Sequence, residues 1–317
     1  MTQKQVIVGI DVAKEKIDAA IRFGAETSFA NSAEGRRELP AWLKEHGVGK
    51  AAMEASGGYE RSWARLLREA GVEVAIVDPK RVRHFAKSAG QLAKNDPIDA
   101  RMIAWFGEVF GHASGQPHDE ERQELDQMVT ARIGMARLKE QIEGWGEHEQ
   151  PKAVQKAHQA LLKAVVTQLD KLEDVIAAKI DKTEHFAQRA EIIQSVPGLA
   201  GTAAAGIIAF LPELGLVDRQ AASALLGVAP FNDDSGKRHG ERHIQGGRRK
   251  LRKLLFMPIV GAATQHNPVL KACYQRLIAK GKKAKVAFIA CMRKLIGILN
   301  TMLARGEKWD PNKHAIA

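Results

Sequence analysis

Residues 5–23 read QVIVGIDVAKEKIDAAIRF, and this stretch decides the class of the first domain. The β-branched run that ends on Asp11 predicts a strand, and KIDAAIRF (16–23), reached after a short turn, predicts its antiparallel partner. Working outward, EGRRELPAWLKEHG (34–47) predicts a helix stopped by Gly47, and VGKAAMEAS (48–56) a strand ending near Glu54. GYERSWARLLREAG (58–71) predicts an amphipathic helix with Trp63, Leu66 and Leu67 facing inward. VEVAIVD (72–78) predicts a third apolar strand, and KNDPIDARMIAWFGEVF (94–110) a further helix. A strand hairpin followed by alternating helices and strands is a mixed α/β layer with helices packed on a sheet.

At 317 residues the chain has room for more than this domain. Three parts are expected: an α/β part at 1–115, a polar helical part at 116–190, and a mostly helical part at 191–317. In the second, ALLKAVVTQLDKLEDVIAAKI (160–180) places Leu162, Val165, Leu169, Leu172, Ile176 and Ile180 at spacings of three and four. That apolar seam suits a helical hairpin or coiled coil, with self-association as its expected use. GWGEHEQP (144–151) is the bend between two long helices. The third part opens with IIQSVPGLAGTAAAGIIAFL (192–211), a Val-Pro-Gly-x-x-Gly turn before a helix. Two readings stand for it: a helix-hairpin-helix-like element whose backbone N–H groups face a phosphate, or a tight helix–helix turn in which glycine permits close approach.

The net charge of +11 is concentrated. From Gly236 to Lys294 there are sixteen Lys and Arg against a single acidic residue, Glu241, so the rest of the chain is slightly acidic. Such a segment is an electrostatic footprint for a polyanion, a nucleic-acid backbone before a lipid surface, because no apolar face rich in Trp or Phe accompanies it. No uninterrupted apolar run approaches the ~20 residues of a membrane span, and the N-terminus lacks the layout of a secretion signal. The two cysteines, Cys273 and Cys291, fit buried thiols in a reducing cytoplasm better than a disulfide or a zinc site.

Four carboxylates stand out in the first part. Asp11 and Glu54 each end a strand. In NDPIDA, Asp96 is a natural N-cap before Pro97, and Asp99 is a first-turn carboxylate three residues on. Cap and helix dipole alone account for the second pair. If that helix packs across the strand ends, however, four acidic groups converge and require divalent cations to neutralise them. The layout points to an RNase H-like nuclease domain; the sugar-kinase and actin type of fold opens similarly, but its phosphate-binding glycine loops are not evident.

GIDVAK (9–14), MEASGGYE (53–60), KNDPIDA (94–100), SVPGLAGTAAAG (195–206), GVAPFNDDSGKRHGERHIQGGR (227–248) and HNPVLKACYQRL (266–277) form one ordered pattern. Together they closely resemble the transposases of the insertion-sequence 110 family, from the first strand to about residue 309. Ser56, where family members often carry threonine, is the nearest departure. The resemblance implies a RuvC-like, Asp-Glu-Asp-Asp metal domain with Asp11, Glu54, Asp96 and Asp99 as catalytic and metal-holding residues. Glu60 is the rival for the second position. It implies Mg2+, with Mn2+ able to substitute, and a nucleophilic serine at Ser235 in DDSGKRHG. For the neighbouring Asp233 and Asp234 three roles stand, binding metal, orienting the serine or merely solvating the loop, and the last is preferred. The resemblance further implies a dimer or tetramer with composite sites shared between protomers, double-stranded DNA as substrate at element ends and target, and a guide RNA encoded by the element. Lys237, Arg238, Arg242, Arg248, Arg249 and Arg252 are assigned to nucleic-acid contact as a group. The expected setting is the bacterial cytoplasm, at the nucleoid when bound to DNA, with no membrane partner. Two other readings stand beside this one: a RuvC-like endonuclease in which water attacks and Ser235 is structural, and a non-enzymatic binding regulator with a decayed nuclease fold.

Overall fold

The computed structural model describes residues 6–91, 96–110, 119–148, 150–231, 234–235, 238–240 and 242–314. The chain divides into two compact units, Met1–His118 and Asp119–Ala317.

The first unit follows the order β1 (Val6–Val12), β2 (Lys16–Ile21), β3 (Glu26–Ala30), α1 (Gly35–Glu45), β4 (Val48–Glu54), α2 (Tyr59–Glu69), β5 (Glu73–Val77), α3 (Pro79–Ser88) and α4 (Asp96–Phe110). Its five strands form one sheet in the order β3-β2-β1-β4-β5. The β1–β2 and β2–β3 pairs are antiparallel, and β1–β4 and β4–β5 are parallel. This mixed sheet agrees with an RNase H-like domain. Strand alternation sends the two faces to different cores. Val8, Ile10 and Val12 of β1 and Met53 of β4 pack with Leu39 and Leu43 of α1 and Trp63 and Leu67 of α2. On the opposite face, Ala52 and Val77 pack with Val82 and Ala86 of α3 and Met102, Ile103 and Phe106 of α4.

Two elements go beyond the sequence reading. Strand β3 is an edge strand whose exposure merely alternates between half-buried and exposed, so it carries no apolar signal. Helix α3 begins where Asp78 accepts a hydrogen bond from Lys80 N (2.7 Å) and Pro79 fills the first helical position.

The second unit contains α5 (Glu120–Trp145), α6 (Lys152–Lys182), α7 (Glu184–Gln194), α8 (Gly201–Phe210) and α9 (Arg219–Leu226). Four two-residue strands follow: β6 (Pro230–Phe231), β7 (Asp234–Ser235), β8 (Arg238–His239) and β9 (His243–Ile244). The remainder is α10 (Arg249–Leu254), α11 (Phe256–Gly261), a π-helical turn (Ala262–His266), α12 (Pro268–Ala279), α13 (Ala284–Arg305) and α14 (Pro311–His314). Of the expected seam on α6, Leu169, Ile176 and Ile180 are buried, while Leu162 and Val165 at its start are half-buried. Arg132 of α5 holds Glu173 of α6 at 2.6–2.8 Å.

Helix α8 is buried along nearly its whole length, which its small residues allow: a Cβ on Gly206 would fall 2.2 Å from Leu254 Cδ2. Helix α13 is by length and composition apolar enough to cross a membrane, with a mean hydropathy of 1.6, but 56% of that window is buried inside the unit. It serves there as the core helix. Buried Asn300 ties it to the chain after α8, accepting from Gly215 N and donating to Val217 O, both at 2.7 Å. Cys273 and Cys291 are buried free thiols. Burial first, and then its neighbour Cys273, push the Cys291 thiol up to about 12.

Candidate active site

The register of β1 on β4 pairs Gly9 with Ala52 and Ile10 with Met53. Asp11 and Glu54 therefore lie side by side, one residue further on, at the C-terminal ends of adjacent parallel strands. Alternation puts both on the face that α4 covers. Helix α4 reaches that face because Gly9 has no side chain: a Cβ there would lie 2.0 Å from Ala100 O and 2.3 Å from Ala104 N. Farther along α4, a Cβ on Gly107 would meet Ala52 Cβ at 3.0 Å and Ile7 at 3.4 Å. These contacts run the helix back along β1, so its N-terminal turn comes to the strand ends. Ion pairs fix its outer side, Arg101 to Glu26 at 2.7 Å and Arg22 to Glu108 at 2.9 Å.

The result is a cleft of about 450 Å³ lined by Asp11, Glu54 and Asp99 together with Lys80, Arg83 and His84 of α3. Three of the four expected carboxylates thus share one cleft. Asp96 is the first residue of α4, one turn before Asp99, and its side chain lies outside the described residues. An all-oxygen donor set of this kind fits a hard divalent cation.

Glu60 has other work. It is 6% exposed, and its Oε2 accepts hydrogen bonds from Ser56 N (3.0 Å), Ser56 Oγ (3.1 Å) and Gly58 N (2.8 Å). That carboxylate holds the turn between β4 and α2, where Gly57 and Gly58 both take positive φ.

Sequence reasoning passed over two features here. Asp18, opposite Asp11 in the β1–β2 register, is 5% exposed and braced by Ser28 Oγ and by Lys16 Nζ at 3.1 Å. A lone acid inside an alternating strand was its only signal. Lys80, Arg83 and His84 share one helical face by their i, i+3, i+4 spacing. The charged run PKRVRH directly after a capping Asp78 was the signal available for them.

In the second unit, Ser235 sits in β7, which pairs with β8 in the register Ser235 to Arg238 and Asp234 to His239. The side chains of Ser235 and Arg238, and the whole of Lys237, lie outside the described residues. Arg242 and Arg249 are exposed. Arg248 and Arg252 are committed within the protein. Arg248 forks onto Glu213, its Nη1 donating to Oε2 at 2.6 Å and its Nη2 donating to Oε1. Burial opposes the charge on Glu213, but the hydrogen bonds and charge of Arg248 outweigh it and hold the carboxyl below its ordinary range. Arg252 Nη1 donates to Gly227 O and Gly246 O, both at 2.9 Å, and to Leu226 O at 3.3 Å. It thereby ties the C-terminal carbonyls of α9 to the glycine turn after β9. Glycine is required on both sides: Gly227 and Gly247 take positive φ, and a Cβ on Gly247 would fall 2.3 Å from Gly227 N. The two arginines brace the ends of the segment that carries Ser235.

Comparison with known proteins shows where such a pairing of elements occurs. A family profile for DEDD-type IS110 transposases, described as "Transposase", matches residues 8–142, and one described as "Transposase IS116/IS110/IS902 family" matches residues 190–275. The chain belongs to the IS110 family of transposases. It is similar to the "Pilin gene-inverting protein" of Moraxella bovis, 26% identical over 319 residues, covering 97% of this chain and 98% of that one. The same figures hold for the protein of that name from Moraxella lacunata. An "Insertion element IS116 uncharacterized 44.8 kDa protein" from Streptomyces clavuligerus is 30% identical over 135 residues, 42% of this chain and 34% of its own. Membership makes this protein a DNA transposase or recombinase acting on DNA, and the DEDD type of its first unit points to divalent metal use.

In this IS110-family transposase a second group of potential ligands lies apart from the cleft. Asp119, Glu121 and His185 bring ligand atoms within 4.8 Å of one another in the second unit. Each already has local work or exposure. Asp119 caps α5 through Arg122 N (2.9 Å), Glu121 lies 4.0 Å from Lys179, and His185 is exposed. The Val-Pro-Gly turn before α8 also has a packing explanation. Gly198 takes φ +93°, and a Cβ on it would sit 2.7 Å from Ala262 Cβ. The first turn of α8 lines a cavity of about 460 Å³ together with Arg132, Glu173, Asp174 and Asp181.

Proposed function

We propose that this IS110-family transposase is a magnesium-dependent DNA recombinase that cuts and rejoins DNA through a covalent serine-phosphate, guided by an RNA. The observation that carries the reading is the cleft that joins Asp11, Glu54 and Asp99 with Lys80, Arg83 and His84. The three carboxylates, with Asp96 as the fourth, would hold the cation. Magnesium, when bound, would polarise the phosphate and ease ionisation of the attacking hydroxyl. Lys80 and Arg83 of α3, which line the same cleft, balance charge on the non-bridging phosphate oxygens. Ser235 is the nucleophile. Its Oγ forms the new bond to phosphorus as the bond to the 3′ oxygen breaks, the hydroxyl proton leaves, and a 3′-OH is freed. That 3′-OH later attacks the same phosphorus, so the phosphodiester is restored without an external energy source.

The carboxylates belong to the first unit and Ser235 to the second; the resemblance to the family implies composite sites shared between protomers of a dimer or tetramer. The helical hairpin α5–α6 serves the assembly. Guidance by an element-encoded RNA accords with the low aromatic content, 5%, which offers few platforms for stacking single-stranded bases, and with the abundance of phosphate-binding side chains. Arg242 and Arg249, exposed beside the Ser235 segment, contact the backbone together with Lys237 and Arg238.

The test uses purified protein, Mg2+, element-end DNA and RNA from the flanking non-coding region. A denaturation-resistant protein–DNA adduct is expected in the wild type and is lost in Ser235→Ala and in Asp11→Ala. Cleavage that survives Ser235→Ala with no adduct in any variant would overturn the serine mechanism in favour of hydrolysis by water.

A further inference from the structure

The charge excess between Gly236 and Lys294 drew attention away from a cationic cavity built by residues outside it. Between α9 and α13 lies a cavity of about 370 Å³ lined by Arg219, Thr301, Arg305, Glu307 and Lys313. Three cations meet one carboxylate there, and that carboxylate is taken: Glu307 pairs with Lys313 at 3.2 Å. The flanking acids are also engaged. Asp218 caps α9 through Gln220 N and Ala221 N, both at 2.7 Å, and Asp310 accepts from Asn312 N at 2.9 Å. Among the described residues no carboxylate pairs with Arg219 or Arg305.

The placement of Arg219 is not incidental. Its side chain lies flat across α13 at Gly297, where a Cβ would fall 2.6 Å from Nε and 3.0–3.1 Å from Cγ and Cδ. Gly297 is buried in the middle of a 22-residue helix, a position where glycine is less stable than alanine. The helix thus carries an unfavourable residue at the one point that lets an arginine lie against it and aim its charge into the cavity. A packing role alone would be served by an apolar side chain. A guanidinium held in place beside two further cations suits an oxyanion, which arginine grips with paired N–H donors.

We propose that this cavity binds a phosphate of a nucleic-acid backbone, as a contact separate from the basic segment around Ser235. Arg219 and Arg305 grip the non-bridging oxygens, Lys313 adds charge, and Gly297 keeps the Arg219 stem in place. In a DNA-acting protein the phosphodiester comes from duplex DNA or from RNA, and the experiment distinguishes the two.

Binding of the full-length chain to a fluorescent duplex DNA and to a fluorescent single-stranded RNA is followed by anisotropy over a salt series. Wild type is compared with Arg219→Met, Arg305→Met, Gly297→Ala and, as a control of equal charge loss, Lys44→Met at an exposed position of α1. Methionine keeps an apolar stem on α13, and melting of each variant reports packing separately. Loss of one phosphate contact lowers the slope of log affinity against log salt by about 0.9 for duplex DNA or about 0.7 for a single strand. Arg219→Met and Arg305→Met are expected to bind more weakly at low salt and to lose about three-fold less affinity than wild type across a four-fold rise in salt, while Lys44→Met keeps the wild-type slope. Gly297→Ala is expected to behave like Arg219→Met. A change with only one probe identifies that nucleic acid as the ligand. Slopes equal to wild type on both probes, or an equal change in Lys44→Met, would overturn the proposal. Should Arg219→Met fail to fold, Arg305→Met at the exposed helix end carries the same test.

Discussion

Gly9→Ala is the most incisive change available in the first unit. The new Cβ would start 2.0 Å from Ala100 O and 2.3 Å from Ala104 N, whereas ordinary contact begins near 3.4 Å. Both neighbours are backbone of α4, so no side-chain rotation relieves the clash. The helix or the strand must move by about 1.4 Å, an overpacking that costs about 1–3 kcal/mol or more. For a unit of this size that lowers its melting temperature by at least about 4 °C. The same movement carries Asp99 away from Asp11 and Glu54, and an ångström of misplacement at a reacting centre costs about a hundred-fold in rate. Melting by calorimetry and strand cleavage of element-end DNA in Mg2+ measure the two effects. Gly134→Ala is the control. That residue is exposed on α5 with nothing within 4 Å of a new Cβ, so the substitution leaves both readouts unharmed. A Gly9→Ala protein that melts and cleaves like wild type would refute the claim that close approach of α4 builds the cleft.

Two further outcomes follow from the same geometry. Glu54→Gln is expected to abolish cleavage with little change in melting, whereas Glu60→Gln removes charge-assisted acceptors from the turn after β4, costs about 1–2 kcal/mol, and leaves measurable cleavage; the reverse pattern would exchange their roles. Arg248→Met is expected to cost about 2 kcal/mol at neutral pH. Because Glu213 has a lowered folded pKa, the stability it contributes is complete above its unfolded pKa of about 4.3 and is lost as pH falls through the lower folded value. The difference in melting between wild type and Arg248→Met therefore narrows as pH drops from 6 towards 3, and a constant difference would dissociate the pair from acid stability.

The strands that position the site were legible because their signal is local. The short apolar runs ending at Asp11 and at Glu54 read as strands, each closing on its acid; that the two acids share a face follows from the β1–β4 register. Asp96-Pro97-Ile98-Asp99 carries the grammar of a helix start, so the element that brings Asp99 was legible as well. What it packs on was not. In the sequence Gly9 is a weak residue inside a strand, and only the backbone of Ala100 and Ala104 reveals why no other residue fits. The basic residues show the same limit. Arg242, Arg248, Arg249 and Arg252 are alike in composition, yet Arg248 and Arg252 find Glu213, Gly227 and Gly246, partners supplied by tertiary structure. Arg219 escaped notice for the opposite reason. It stands alone in sequence, and its company, Arg305 and Lys313, is assembled only by the packing of α9 against α13.

The carboxylate cleft carries charge of both signs, Asp11, Glu54 and Asp99 against Lys80 and Arg83. A phosphodiester is an anion, and Asp11, Glu54 and Asp99 by themselves repel it. Divalent cations held by these carboxylates, as proposed, would reverse that field only close to the strand ends. Lys80, Arg83 and His84 sit on α3, which follows β5 directly and packs beside α4 through Val82 and Ala86. The charge of Lys80 and Arg83 requires no metal, so on the proposed function it would draw a nucleic-acid strand towards the cleft before any cation completes the site. On the proposed function the fold separates two tasks on two helices of one face: α3 would attract the backbone, and α4, pressed onto Gly9, would complete the set of oxygen donors.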